Sequence, residues 1–390
     1  REATITGAAV KYDSGTNESI LILPVRGVTL NWTTRTSAAN GEAFTLTATV
    51  NPTDAANKNV IWTTSDAAVA TVADGLVTPL GVGTATITVT TADGEFTATC
   101  VVTVVEATAT VNGVGYTTLN TAISRTISGD TVVVQQNTAI TSGILGRITV
   151  SGKAITIDLN GHEVVSNDAS TSAFRISATG QVTFTDSSGT NAGQYKNLYA
   201  TSNTLTNEGT LIIDGGTIGI NGQHAIVMGS GSATTITGGV INGYIASNGT
   251  YSDVDLTISG GTFTNSLYLP AANSVTTISG GTFTPTTGSL SAIEIDAGTL
   301  NISGGTFVNN IDTAGNSTAV ANTNGSGDFK GVIVAVKPST SSSTAYASAV
   351  EVNLTGGTFT NNLGDAIVLA DQTAEGNTGG GGITVTISRE

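Results

Sequence analysis

The chain has 390 residues, and 28 acidic against 13 basic side chains give it a net charge of −15 and a pI near 4.3. So acidic a composition, with no basic cluster, argues against nucleic acid or an anionic membrane surface as partner. No apolar run approaches the roughly 20 residues of a membrane span, and the single cysteine, Cys100, excludes an intrachain disulfide.

In chain order, Ala3 to Val25 reads as a hairpin around Asp13-Ser14-Gly15-Thr16-Asn17. Its second strand carries Ile20-Leu21-Ile22-Leu23, too apolar to stand alone in water. These four residues are therefore candidates for assembly, by pairing within the chain, with a preceding domain or with another subunit's sheet. From Val28 to Val105 the pattern changes to short strands at Val28 to Trp32, Ala43 to Val50, Val60 to Thr63, Ala68 to Val72, Thr84 to Thr91 and Glu95 to Val105. Turn residues punctuate them at Asn40-Gly41, Asn51-Pro52, Asp74-Gly75 and Asp93-Gly94. Short strands at this spacing predict an antiparallel sandwich. Cys100 alternates in phase with Phe96, Ala98 and Val102 and is expected as a small buried hydrophobe.

The runs Val60-Ile61-Trp62-Thr63-Thr64-Ser65-Asp66, Val69-Ala70-Thr71-Val72 and Gly83-Thr84-Ala85-Thr86-Ile87-Thr88 resemble the group 2 bacterial immunoglobulin-like domain. Trp32 departs from that pattern at the first strand and is expected at the surface. The resemblance implies a spacer or adhesin module of a bacterial surface protein.

After the sandwich, Tyr116 to Ile127 places Leu119, Ala122, Ile123 and Ile127 at helical spacing. A short amphipathic helix is expected here as the cap of a stacked array, which needs a shielded end. The array itself is written as a repeat. Ser-Gly-Gly-Thr-Phe stands at Ser259 to Phe263, Ser279 to Phe283 and Ser303 to Phe307, with Thr355 to Phe359 as a variant and looser copies at Asp214 to Ile218 and Thr237 to Ile241. First glycines at 215, 238, 260, 280, 304 and 356 give steps of 23, 22, 20, 24 and 52, the last about two periods. Period-two alternation around the motif, as in Leu256-Thr257-Ile258-Ser259, marks strands. A third apolar piece comes after a loop of variable length: Ala225 to Met228, Leu267 to Leu269, Ile293 to Ile295 and Ala366 to Leu369. Strand, glycine corner, strand, loop, strand describes a three-sheet parallel coil, with the variable loops as the place for function. Ile258, Ile278, Ile302 and Leu354 are expected in one buried column and Phe263, Phe283, Phe307 and Phe359 in another.

This segment, from about Val111 to Glu390, resembles the right-handed parallel β-helices of the pectin-lyase-like superfamily. The predicted architecture is thus all-β: a hairpin or linker strand over 1–27, an immunoglobulin-like sandwich over 28–105, and a right-handed three-sheet parallel β-helix with a short N-terminal capping helix over 106–390. The chain opens without a leader and ends at Ser388 in half a coil, so it is expected to be part of a longer polypeptide or to have its ends covered by a partner.

Catalytic patterns are sparse. There is no Asp-Asp pair, Gly-His-Gly, Gly-x-Ser-x-Gly, Walker loop, His-Glu-x-x-His or Cys-x-x-Cys. Of the two histidines, His162 comes after Asn160-Gly161 at a corner and reads as a turn residue. Gly379 to Gly382 is a loop without the following lysine of a phosphate cradle. Asp158, Asp186 and Asp214 stand 28 and 28 residues apart near corners, so a stacked carboxylate row holding calcium is considered against ordinary turn capping. Tyr244, Tyr268 and Glu294, one per successive coil, form a candidate ligand strip, since a tyrosine offers a sugar ring a flat apolar face with a polar tip.

No catalytic residue and no bound cofactor is predicted. The expected role is extracellular and structural or adhesive, displaying loops that bind glycans or other surfaces without inserting in a membrane. Alternatives are a subunit of a head-to-tail filament, joined through the hairpin or an open coil end, and a polysaccharide lyase or glycoside hydrolase.

Overall fold

The computed structural model describes residues 9–13, 18–140, 147–167, 172–285, 291–309, 331–337, 349–361, 366–371 and 383–388. The loops 14–17 and 379–382 and the side chains of Ile20, Leu21 and Ile22 lie outside the described residues. Two compact units divide the chain, Arg1–Ser124 and Arg125–Glu390.

In the first unit, Ala9–Asp13 pairs antiparallel with Glu18–Ile22, Ala9 opposite Ile22. Among the described residues this hairpin pairs only with itself. The chain then enters a sandwich, where Val25 is already buried with Val28, Val50, Ala55 and Val89. One sheet has four strands in the order Thr34–Ala38, Thr97–Val105, Gly83–Thr91, Val60–Thr64. Three-stranded and two-stranded sheets complete the sandwich, and Ala109–Val111 then pairs antiparallel with Val114–Tyr116. The segment expected as one strand from Ala43 to Val50 is two, Phe44–Thr45 and Ala48–Asn51, in different sheets. Thr34–Ala38 and Leu76–Pro79 were not expected as strands. The first reads Thr-Arg-Thr-Ser-Ala, without apolar alternation, and pairs parallel rather than antiparallel with Thr97–Val105. Its ladder, not its pattern, makes it a strand. Cys100 is in the core with Phe44, Leu46, Val77, Ile87 and Val102. Burial pushes its thiol pKa up, with Arg35 pulling weakly the other way. Trp62 packs against both buried clusters, whereas Trp32 is exposed, as expected.

The helix forms over Leu119–Arg125 with Leu119, Ala122 and Ile123 buried. Ile127 was expected on the same face but lies beyond the helix and is 71% exposed.

The second unit is a stack of parallel strands. Its first sheet has twelve strands, Val114–Tyr116 and Ala109–Val111 followed by the parallel series from Thr131–Val134 to Ile383–Ile387, and its second and third have nine each. The chain visits them in turn, one short strand per sheet, which is a parallel β-helix; crossovers between parallel strands take the right-handed sense. Ile258, Ile278, Ile302 and Leu354 are register partners in the first sheet, and all four are buried. Phe263, Phe283, Phe307 and Phe359 are partners in the second, the first three buried and Phe359, against expectation, half-exposed, with ring centroids 4.3, 4.5 and 4.9 Å apart and planes within 10°. Earlier coils are filled differently, by Phe174, Phe184 and Tyr195 with centroids 5.6–5.7 Å apart and tilted planes.

The repeated motif has a physical explanation at each position. The leading Ser or Thr donates its backbone N–H to the coil before, as from Ser279 to Ile258 at 2.8 Å and from Ser303 to Ile278 at 2.9 Å. A Cβ on the first glycine would strike the preceding coil: at Gly280 it would lie 2.3 Å from the carbonyl oxygen of Ser259. The second glycine turns the corner at positive φ, +96° at Gly281 and +104° at Gly305, which glycine adopts cheaply. The phenylalanine fills the interior. The connections between second and third strands range in length from residues 242–243 to residues 310–330, so the variable loops emerge beside the third sheet.

Candidate functional site

The outer face of the third sheet gathers the most chemistry. Along Ser291–Ile295, Ile293 and Ile295 are buried, while Glu294 alternates outward and is half-exposed. Tyr268 lies on the rung below, as the register partner of Glu294, and is also half-exposed. The strip therefore exists at Tyr268 and Glu294. Tyr244 is not in its column. Ala246 is the partner of Tyr268, and a register shift places Tyr244 opposite His224. These two rings lie 5.9 Å apart at 55°. The outer edge of His224 reaches solvent, yet the protein crowding its ring lowers its pKa.

Asp296 was missed in the sequence. It stands two residues after Glu294, on the same side by alternation, and its N–H bonds the carbonyl of Leu269 at 3.0 Å. It is 0% exposed. Burial raises its pKa well above the carboxylate range, the charge of Glu294 adds to this, and the nearby Tyr268 hydroxyl, favouring the anion, opposes them. The alternation Glu294-Ile295-Asp296 was the available signal: two acids two residues apart on a strand share a face. Tyr268 and Glu294 offer a phenol and a carboxylate on one face, groups suited to hydrogen-bonding sugar hydroxyls, while Asp296 lies buried behind them.

The three aspartates sit elsewhere, at the corner after the first sheet. Asp158 pairs with Thr185, and Phe184 with Ile213, so the register steps are 27 and 29 residues. Equal spacing of 28 puts Asp158 and Asp214 on one column and Asp186 one residue beyond it. The oxygens of these aspartates are used locally. Asp158 Oδ1 accepts the N–H groups of Asn160 and Ser187, both at 2.9 Å. Asp186 Oδ1 accepts those of Gly161 at 2.7 Å and Ser188 at 3.2 Å, and its Oδ2 that of Gly193 at 2.8 Å. Burial opposes ionisation of Asp186, but these donors outweigh it and hold its carboxyl below the usual value. Asp214 Oδ1 accepts the Thr237 hydroxyl at 2.6 Å. Calcium needs six to eight oxygen ligands, and among the described residues no three His, Cys, Asp or Glu side chains gather around one point. The residues in place do not assemble such a site. His162 turns its corner as expected, donating its N–H to the Leu159 carbonyl at 2.8 Å. Of the assembly candidates, Leu23 is half-buried and its carbonyl accepts the N–H of Ala56 at 3.0 Å.

Comparison with known proteins bears on the first unit. The model of the group 2 bacterial Ig-like domain matches residues 24–102, and this segment is such a domain. The chain is 49% identical over 85 residues to an Ig-like virion protein of Serratia phage KSP90, covering 21% of this chain and 33% of that protein. It is 58% identical over 60 residues to an alpha-L-arabinofuranosidase of Bifidobacterium longum, covering 15% of this chain and 6% of that protein. An uncharacterized protein of Clostridium acetobutylicum is 43% identical over 70 residues, 17% of this chain and 18% of that one. The chain thus spans a third or less of each of these relatives.

Proposed function

We propose that this protein is an extracellular structural and adhesive component of a bacterial or virion surface, in which the β-helix displays a glycan-binding face. A surface or structural role is the reading supported by the immunoglobulin-like domain and by similarity to a virion protein. No helix among the described residues is long and apolar enough to cross a membrane. The glycan-binding part rests on one observation, the outward pair Tyr268 and Glu294 on adjacent rungs of the third sheet, with Asp296 buried beside them. Its test is binding of the whole chain to immobilised glycans, beside Tyr268→Ala and Glu294→Gln. Loss of retained glycans in both variants supports the proposal. Retention of none by the wild type, or equal retention by the variants, refutes it.

A second reading takes Glu294 and Asp296 as an acid–base pair of a polysaccharide-cleaving enzyme, since two neighbouring carboxyl groups are the equipment of that chemistry. Turnover of a polysaccharide that vanishes in Glu294→Gln would favour it. The assembly alternative concerns the hairpin, which carries Ile20 to Leu23 and pairs only with itself among the described residues. Deleting residues 1–22 abolishes any oligomer seen by sedimentation if the hairpin joins neighbours. An unchanged oligomer, or a monomer throughout, removes this alternative.

A further inference from the structure

The immunoglobulin-like domain holds an arginine stacked between two aromatic rings and, among the described residues, without a carboxylate partner. Arg35 lies in Thr34–Ala38, at the edge of the four-stranded sheet, opposite Val102. Val102 and Cys100 are buried, and Arg35 sits on their side of the sheet, where its charge is felt by the Cys100 thiol. Its guanidinium carbon lies 4.3 Å from the ring centre of Trp32 and 4.5 Å from that of Phe44. The two rings meet edge to face, with centroids 6.1 Å apart and planes at 63°. The guanidinium therefore stacks against both rings of an angled aromatic notch.

Its donors are unevenly used. A guanidinium carries five N–H groups. Nε is shielded from solvent with no hydrogen-bond partner, and among the described residues Arg35 has no ion-pair or hydrogen-bond acceptor. This holds in a chain with 28 acidic side chains to 13 basic ones, where a carboxylate partner would be easy to supply. Beside it stands Trp32, 39% exposed, the large aromatic that departs from the family pattern. A planar fork already stacked and pre-ordered loses little entropy on binding a carboxylate bidentately, and the exposed indole offers an apolar surface to a sugar ring. An inward charge on an edge strand also discourages pairing with other sheets, but that role requires neither the fork nor an exposed tryptophan.

We propose that Arg35 and Trp32 form a subsite for an acidic sugar, the guanidinium taking the carboxylate and the indole the ring. The overall negative charge of the chain does not oppose this, because at physiological salt charges beyond about 8 Å are largely screened.

The test is calorimetric titration of the whole chain with tri-galacturonate and with its methyl ester, which keeps the ring and loses the charge. Arg35→Lys and Trp32→Ala are titrated alongside, their folding checked by far-ultraviolet dichroism and thermal unfolding. Saturable binding of the acid is expected, with losses on the order of tenfold or more for the ester and for each variant. The lysine variant keeps the charge on the edge strand, so a purely protective arginine predicts no binding in any of these titrations. No saturable heat with the acid, equal affinity for the ester, or full affinity in Arg35→Lys overturns the proposal. Sodium sulfate binding as tightly as the trisaccharide overturns the assignment to a sugar. Tyr268→Ala leaves this binding unchanged, which separates it from the third-sheet face.

Discussion

Replacing Phe283 by alanine probes the central packing device of the β-helix. The ring is 1% exposed and sandwiched between Phe263 at 4.3 Å and Phe307 at 4.5 Å, with planes inclined by 6° and 10°. Alanine removes the transfer free energy of the benzyl group and leaves a hole that neither neighbour can fill, since each is held by its own strand. The expected cost is about 3–5 kcal/mol. For a unit of this size that corresponds to a fall in melting temperature of roughly 10 °C. Phe359 supplies an internal comparison. It is half-exposed and, of the described rings, stacks only on Phe307, at 4.9 Å. A stacked pair adds about 0.5–1.5 kcal/mol beyond buried area, so Phe359→Ala costs less by at least one such contact. Both tryptophans, Trp32 and Trp62, lie in the first unit, so their emission tracks the sandwich, while far-ultraviolet dichroism tracks mostly the coils. Urea unfolding of Phe283→Ala should therefore shift the dichroism transition and leave tryptophan emission nearly unmoved. A cost below about 1 kcal/mol, or a larger cost for Phe359→Ala, would refute the ladder as a stabilising column.

Gly280→Ala drives a methyl to 2.3 Å from the Ser259 carbonyl oxygen and should destabilise by about 1–3 kcal/mol, whereas Gly27→Ala, with nothing within 4 Å, should stay within about 0.5 kcal/mol of wild type in the same unfolding experiment. Asp186, with its folded pKa depressed, contributes stability above its unfolded value near 3.8 that is lost as pH falls through the folded value. Asp186→Asn should therefore be less stable than wild type at pH 7, and the two melting curves should converge below pH 3.8; a constant difference across pH would contradict the assignment. Cys100, fully buried with its thiol pKa raised, should resist a thiol reagent at pH 8 in the folded protein and react at the rate of unfolding.

The β-helix was legible because its period is local and exacting. Each Ser-Gly-Gly-Thr-Phe carries its own strand, corner and core residue, and the carbonyl of the preceding coil admits no side chain at the first glycine. Alternation in the immunoglobulin-like segment likewise revealed its core, including Cys100. Register was legible where the motif marks it, as in the isoleucine and phenylalanine columns, and not elsewhere. Loop lengths differ from coil to coil, so spacing along the chain does not convert to position across coils. That is why Asp158, Asp186 and Asp214 miss a common row despite equal spacing, and why Tyr244 sits by His224 rather than below Tyr268. Thr34–Ala38 carries no strand pattern and exists through its ladder with Thr97–Val105. The seating of Arg35 between Trp32 and Phe44 depends on which strands the two sheets bring to one edge. Local chemistry wrote the repeat, and long-range pairing alone decided which side chains meet.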